Sequence, residues 1–181
     1  DEIYVRLNPT GDMKTGADSK KAIIGKKQDV TVSVEASDEI NSTPETDVYQ
    51  LNKITLTATV AAKETSSTMK PTGTVTFYYS VDGTNWTKIG EAKDLAEVTG
   101  VMTASIQTNQ LPVKAGDNTK QNVEITAVYE GNKTFNASAT VNETEKSITA
   151  AAGCTTNNKN VTVYSSVVYV KDTVENKTTV V

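Results

Sequence analysis

The chain has 181 residues with 18 Lys and Arg against 22 Asp and Glu, a net charge of -4, no His and one Cys. That inventory excludes a Ser-His-Asp triad, a Cys-His dyad, a His-based zinc centre and an internal disulfide. The cations are too evenly mixed with acids to form the basic stripe that binds nucleic acid, and no stretch approaches the ~20 apolar residues of a membrane-spanning helix.

Residues 1–27 begin "DEIYV" without a charged n-region and apolar h-region, so the chain reads as a mature segment of something longer. Within them "IYVRL" and "AIIG" flank a Gly, Lys and Asp-rich loop, which predicts an N-terminal flanking β segment. From residue 28 the pattern becomes strictly alternating. "VTVSVEA" places Val30, Val32, Val34 and Ala36 on one face. A long connection, "TPETDVYQLN", then leads to "ITLTATV", where Ile54, Leu56, Ala58 and Val60 alternate with Thr55, Thr57 and Thr59. β-Branched residues suit such a pleated, half-buried surface because their stiff χ1 costs little there.

"PTG" introduces "TVTFYYSV", with Val75, Phe77, Tyr79 and Val81 in the inward phase, and "VDGTNW" closes the run on the chain's only Trp. The segment 90–98, "GEAKDLAEV", is too short for a stable helix and reads equally as an edge strand. "MTASI" and "VEITAVY" complete five alternating runs, with inward Met102, Ala104 and Ile106, then Val123, Ile125, Ala127 and Tyr129. "LPVKAG" carries Lys114 where a sorting signal needs Thr and has no apolar tail, so it is a loop. The turns between runs hold the Gly, Asn, Asp or Pro that positive or preset φ requires. The fold class predicted is all-β, an Ig-like antiparallel β-sandwich over 28–150 with extra flanking strands.

Residues 151–181 contain "NVTVYSSVVYV" and "TTVV". Read as one strand, Val161, Val163, Val167 and Tyr169 alternate with Tyr164, Val168 and Val170, apolar on both faces and in need of cover. This C-terminal β segment is expected to pair with the N-terminal flank or to add strands to the sandwich. Cys154 lies in a predicted loop, where a tolerated free thiol is the simplest reading. A β-rich chain with almost no Cys suits bacterial export.

The runs "ITLTATV", "PTGTVTFYYS", "KIGEA" and "VEITAVYEGNKTFNASATV", over residues 28–150, resemble the bacterial immunoglobulin-like (Big) repeats of cell-surface and secreted proteins. The resemblance implies an Ig-like spacer or adhesion module without catalysis, with Gly73 and Gly131 serving turns and Phe77 and Tyr129 serving the core. The chain departs from the family in its lengthened "YYSVDGTNWTK" hairpin, its "TPETDVYQLN" connection and its flanks.

The candidate ligand contacts are Trp86 and Tyr78, because exposed aromatic rings stack on pyranose faces; against this stands a Trp that simply packs across its own strand pair. "SVDGTNW" is one residue short of the Asp-box turn of sialidase-like proteins. Asp38, Glu39, Glu45 and Asp47 offer oxygen ligands to Ca²⁺ but lack a DxDxDG run, so a solvated acidic loop is expected. An intramolecular Lys-Asn isopeptide bond requires a buried Lys beside an acid, whereas the inward strand positions are apolar or aromatic. Asn41, Asn85, Asn132, Asn136, Asn142, Asn160 and Asn176 stand in Asn-x-Ser/Thr sequons, which arise readily in so Thr-rich a chain. The expectation is therefore an extracellular module without catalytic residues, metal or cofactor. Its expected partners are neighbouring domains of the same polypeptide, with host or cell-wall glycans or proteins, and no nucleic acid.

Overall fold

The computed structural model describes residues 2–5, 20–23, 26–38, 47–50, 52–114, 119–165, 169–172 and 177–180. At the N-terminal end β1 (Glu2–Val5) and β2 (Lys20–Ile23) form an antiparallel hairpin. The body follows with β3 (Val30–Asp38), β4 (Asp47–Tyr49), β5 (Ile54–Ala62), β6 (Thr74–Ser80), β7 (Thr87–Asp94), β8 (Ala96–Val98), β9 (Val101–Thr108) and β10 (Lys120–Tyr129). It continues through β11 (Ala139–Asn142), β12 (Ser147–Ala150), β13 (Thr155–Asn157) and β14 (Lys159–Tyr164). A second hairpin, β15 (Tyr169–Asp172) with β16 (Lys177–Val180), ends the described residues.

Two five-stranded sheets face each other, ordered β13-β3-β5-β9-β8 and β4-β14-β10-β6-β7. The central order β3-β5-β9-β8 against β14-β10-β6 is the A-B-E-D and G-F-C arrangement of immunoglobulin-type sandwiches. Among the described strands the pairings are antiparallel except at two edges, where β4 runs parallel to β14 and β13 parallel to β3. The register explains the core. Val34, Ala58 and Ala104 lie abreast on the inner face, as do Ala36, Leu56 and Ile106, while Thr57 and Ser105 meet on the outer face with their hydroxyls 3.0 Å apart. Facing them from the other sheet are Val75, Phe77, Val123, Ile125, Ala127 and Tyr129, all essentially sealed from solvent.

The pole where β10 ends is closed by the motif that follows it. Tyr129 Oη donates to the Thr72 carbonyl at 2.7 Å, and Asn132 Nδ2 donates to the same oxygen at 3.0 Å. Asn132 Oδ1 accepts the N–H groups of Thr134 and Phe135 at 2.7 and 2.8 Å, a local turn that drives Phe135 into the core. Gly131 has φ +78°, and a Cβ there would stand 2.6 Å from the Ala137 nitrogen, so only glycine fits. The chain entering β3 is fastened to this same cap, since Gln28 N–H donates to the Thr134 carbonyl and Asn136 N–H to the Gln28 carbonyl.

Several expectations are corrected. Residues 155–157 and 159–164 follow the second course expected of the C-terminal segment and add strands to the sandwich, which therefore runs past residue 150: β14 supplies the strand that completes β10, with Val161 opposite Val123. The C-terminal run is not one strand either, because β14 ends at Tyr164 and Tyr169 begins a separate hairpin; Val167 and Val168 lie outside the described residues. The first long connection contains a strand, β4, whose Val48 is buried beside Val163. The edge-strand reading of segment 90–98 holds, with a crossing inside it: the chain leaves one sheet at Asp94 and joins the other at Ala96, held by Leu95 N–H on the Gly73 carbonyl. Val81 lies past the end of β6 and is 50% exposed rather than inward.

Candidate functional site

Tyr78, expected on a wet face, is buried. So are Thr76, Thr126 and Val128, which share with it the outer face of β6 and β10. What covers that face is the antiparallel hairpin β11–β12, carried in the connection between β10 and β14. Tyr78, Val128 and Ala139 form a second small apolar cluster, and Trp86, Val141 and Ile148 pack on it. Trp86 is the joint between the hairpin and the sheet. Its backbone N–H donates to the Lys146 carbonyl at 2.7 Å, which ties the start of β7 to the hairpin turn.

The turn before Trp86 is built by Asp82. Its Oδ1 accepts the N–H groups of Thr84 and Asn85 at 2.8 and 2.7 Å, and its Oδ2 accepts Asn85 Nδ2 at 2.6 Å. Ser80 Oγ donates to Asp82 Oδ1 at 3.0 Å and accepts the Gly83 N–H at 2.9 Å. Bonds from Asn85, foremost its backbone, and then Thr84 hold the Asp82 carboxyl far below the ordinary carboxylate range. Both oxygens are engaged inside the turn. The resemblance to an Asp-box therefore reduces to this structural role.

The opposing turn, residues 143–146, is fixed by Asn142 Oδ1, which accepts the N–H groups of Thr144 and Glu145 at 3.1 Å each. Lys146 takes a left-handed φ of 51° and so aims its carbonyl at Trp86. Between the two turns lies a groove of about 270 Å³ with Tyr78 and Trp86 as its aromatic wall and Lys88, Asn142, Glu143 and Lys146 at its rim. The indole also borders a second cleft of about 170 Å³, reaching Thr126, Ile148 and Asn158. Burial, and then the neighbouring charges of Glu143 and Glu130, raise the Tyr78 phenol above its usual 10.0.

The structure thus brings Trp86 and Tyr78 together, as the cross-strand register required: Tyr78 stands opposite Lys88, one step diagonal to Trp86. It adds what sequence reasoning missed, the polar rim from "VNETEK", whose only sequence signal is the apolar pair Val141 and Ile148 around a turn. Tyr79, opposite Thr87 and in the inward phase, packs against the main core.

The remaining candidates are scattered. Asp47 is exposed on β4; the side chain of Asp38 and residues Glu39 and Glu45 lie outside the described residues, among which no group of three or more His, Cys, Asp or Glu is arranged to hold a metal. Cys154 is a free thiol in a loop, as expected, but it is not idle. It is partly buried against the core, its Sγ 3.5 Å from both the Val30 nitrogen and the Ala137 carbonyl, linking β3 to the pole cap. Of the sequon residues, Asn85, Asn132 and Asn136 have their side-chain amides engaged in turns or with Asp29, and Asn41 and Asn176 lie outside the described residues. Compared with protein-family models, curated proteins and solved structures, the chain gives no match.

Proposed function

We propose that the chain is a non-catalytic Ig-like module of a bacterial surface protein, extracellular, serving as a spacer or adhesion domain between neighbouring domains of the same polypeptide. The observation that carries this reading is the path of the chain through the sandwich. It enters β3 at the pole capped by Thr134 and Phe135, beyond the end of β10, and leaves β14 at Tyr164, opposite Lys120 at the start of β10. Entry and exit therefore stand at opposite poles, separated by the length of β10. A link that separates its neighbours requires this; a domain inserted as a side branch requires adjacent ends.

The edge strands suit an exposed life as well. β8, β4 and β13 are three residues long, and β7 carries Lys88, Glu91 and Lys93 with a register irregularity opposite the Val75–Phe77 stretch of β6, devices that blunt edge-to-edge association. The test is to probe intact producing cells with an antibody raised against the folded chain. Labelling without permeabilisation is expected, and labelling only after lysis would refute the reading. A second reading, a carbohydrate-binding module that uses Trp86 and Tyr78, is favoured by the groove that the hairpin builds around them.

A further inference from the structure

The groove beside Trp86 has a composition that a purely structural seam does not need. A seam between a hairpin and a sheet closes on apolar side chains, as Val128, Ala139 and Ile148 do here. The 270 Å³ groove instead pairs an aromatic wall with donors and acceptors around one rim. Its volume sits just under the range of about 300–1,000 Å³ typical of drug-sized ligands, so its occupant is of the size of a sugar ring or two.

From this arrangement we infer that the groove formed by Tyr78, Trp86, Lys88, Asn142, Glu143 and Lys146 binds a neutral pyranose unit of a polysaccharide. This deepens the second functional reading and rests on it. A pyranose has an apolar C–H face that stacks on an indole and an equatorial belt of hydroxyls that both donate and accept. The groove answers each requirement. Trp86 offers its ring to two clefts at once, so part of it is packed and part remains open. Asn142 spends its Oδ1 on the turn, which points its role toward the ligand to Nδ2 donation, while the Glu143 carboxylate accepts and the Tyr78 hydroxyl donates.

Charge selects the class of sugar. Lys88 is paired with Glu91 at 3.6 Å, and Lys146 shares its short turn with Glu143 and Glu145, so the groove's surroundings carry no surplus of positive charge. A uronic acid would find no surplus cation and would meet Glu143. A neutral hexose or N-acetylhexosamine meets neither penalty.

Trp86 is the chain's only Trp, so selectively excited Trp fluorescence reports on the ring that walls the groove. The experiment titrates the folded chain with linear hexasaccharides of β-1,4-glucose, α-1,4-glucose, β-1,4-mannose and β-1,4-N-acetylglucosamine, with hexagalacturonate as the acidic probe. Saturable change with at least one neutral probe, at a Kd of about 5 mM or tighter, is expected. Asn142→Asp keeps the turn-capping oxygen and removes the Nδ2 donor; with Glu143→Gln it should weaken that binding at least about fivefold at an unchanged melting temperature. No saturable response to any neutral probe up to about 20 mM overturns the inference, as does tighter binding of hexagalacturonate, or unchanged affinity in both variants. None of these outcomes touches surface exposure of the module, which the antibody experiment reads separately.

Discussion

Replacing Trp86 by Ala removes the ring that joins the β11–β12 hairpin to the outer face of β6 and β10, while leaving the backbone bond from residue 86 to the Lys146 carbonyl possible. A large aromatic side chain buries 150–250 Å² when fully enclosed, and Trp86 is only half-buried, so about 100 Å² of apolar area is at stake. At ~25 cal/mol per Å² that is about 2.5 kcal/mol, which falls to about 2 kcal/mol once the compactness of the unfolded chain is allowed for. The loss should be local before it is global, because a two-stranded hairpin has little stability of its own. Hydrogen exchange followed by mass spectrometry should show amides of residues 139–150 losing about 30-fold in protection, the equivalent of about 2 kcal/mol, with the inner strands β5 and β10 much less affected. Urea melts followed by far-UV circular dichroism measure the global part. A change under about 0.5 kcal/mol together with unaltered exchange in the hairpin would show that Trp86 joins nothing.

Phe77→Ala empties a fully buried position in the middle of the sandwich and should cost about 3 to 5 kcal/mol, more than Trp86→Ala, in the same urea melts; a loss under about 1 kcal/mol would mean that the strand phase is wrong. Gly131→Ala should destabilise by about 2 kcal/mol or more, combining a left-handed φ with a clash against the Ala137 backbone, whereas Gly100→Ala, with open space around its Cβ, should cost only about 1 kcal/mol. Equal effects at the two sites would refute the pole-cap geometry. The Asp82 carboxyl titrates below its ordinary 3.8 in the folded turn, so it stabilises the fold above that pH and the contribution is lost as pH falls below it. Asp82→Asn should accordingly flatten the acid limb of the stability profile measured from about pH 5 to about pH 2, and an unchanged limb would contradict the turn's role.

The long strands were legible because their side chains obey a period of two over seven to ten residues, and one buried face suffices to set both phase and register. β4 and β13 were not, for two physical reasons. Three residues cannot display alternation, and each pairs in parallel with a strand more than a hundred residues away, a connection that no local turn signal announces. The outer face of β6 and β10 misled for a different reason. Thr76, Tyr78 and Thr126 are residue types that tolerate either water or cover, and what decides between them is a hairpin attached sixty residues later in the chain than Tyr78. Hence Trp86 and Tyr78 were recognisable as a pair, while the polar rim opposite them was not. Cys154 shows the same limit, since a loop in sequence became a core contact through the chain's return to β3.

The claim on which the functional reading rests is that the chain crosses the sandwich from pole to pole. Spin labels at Lys27→Cys and Gln50→Cys, with Cys154 replaced by Ser, mark the two ends: Lys27 precedes the strap that binds Thr134, and Gln50 N–H bonds the Tyr164 carbonyl. With β10 spanning Lys120–Tyr129 between the poles, a pulsed electron-electron distance centred near about 30 Å is predicted from ~3.3 Å per strand residue. A distribution centred below about 20 Å would place entry and exit together and contradict the account of the module as a spacer.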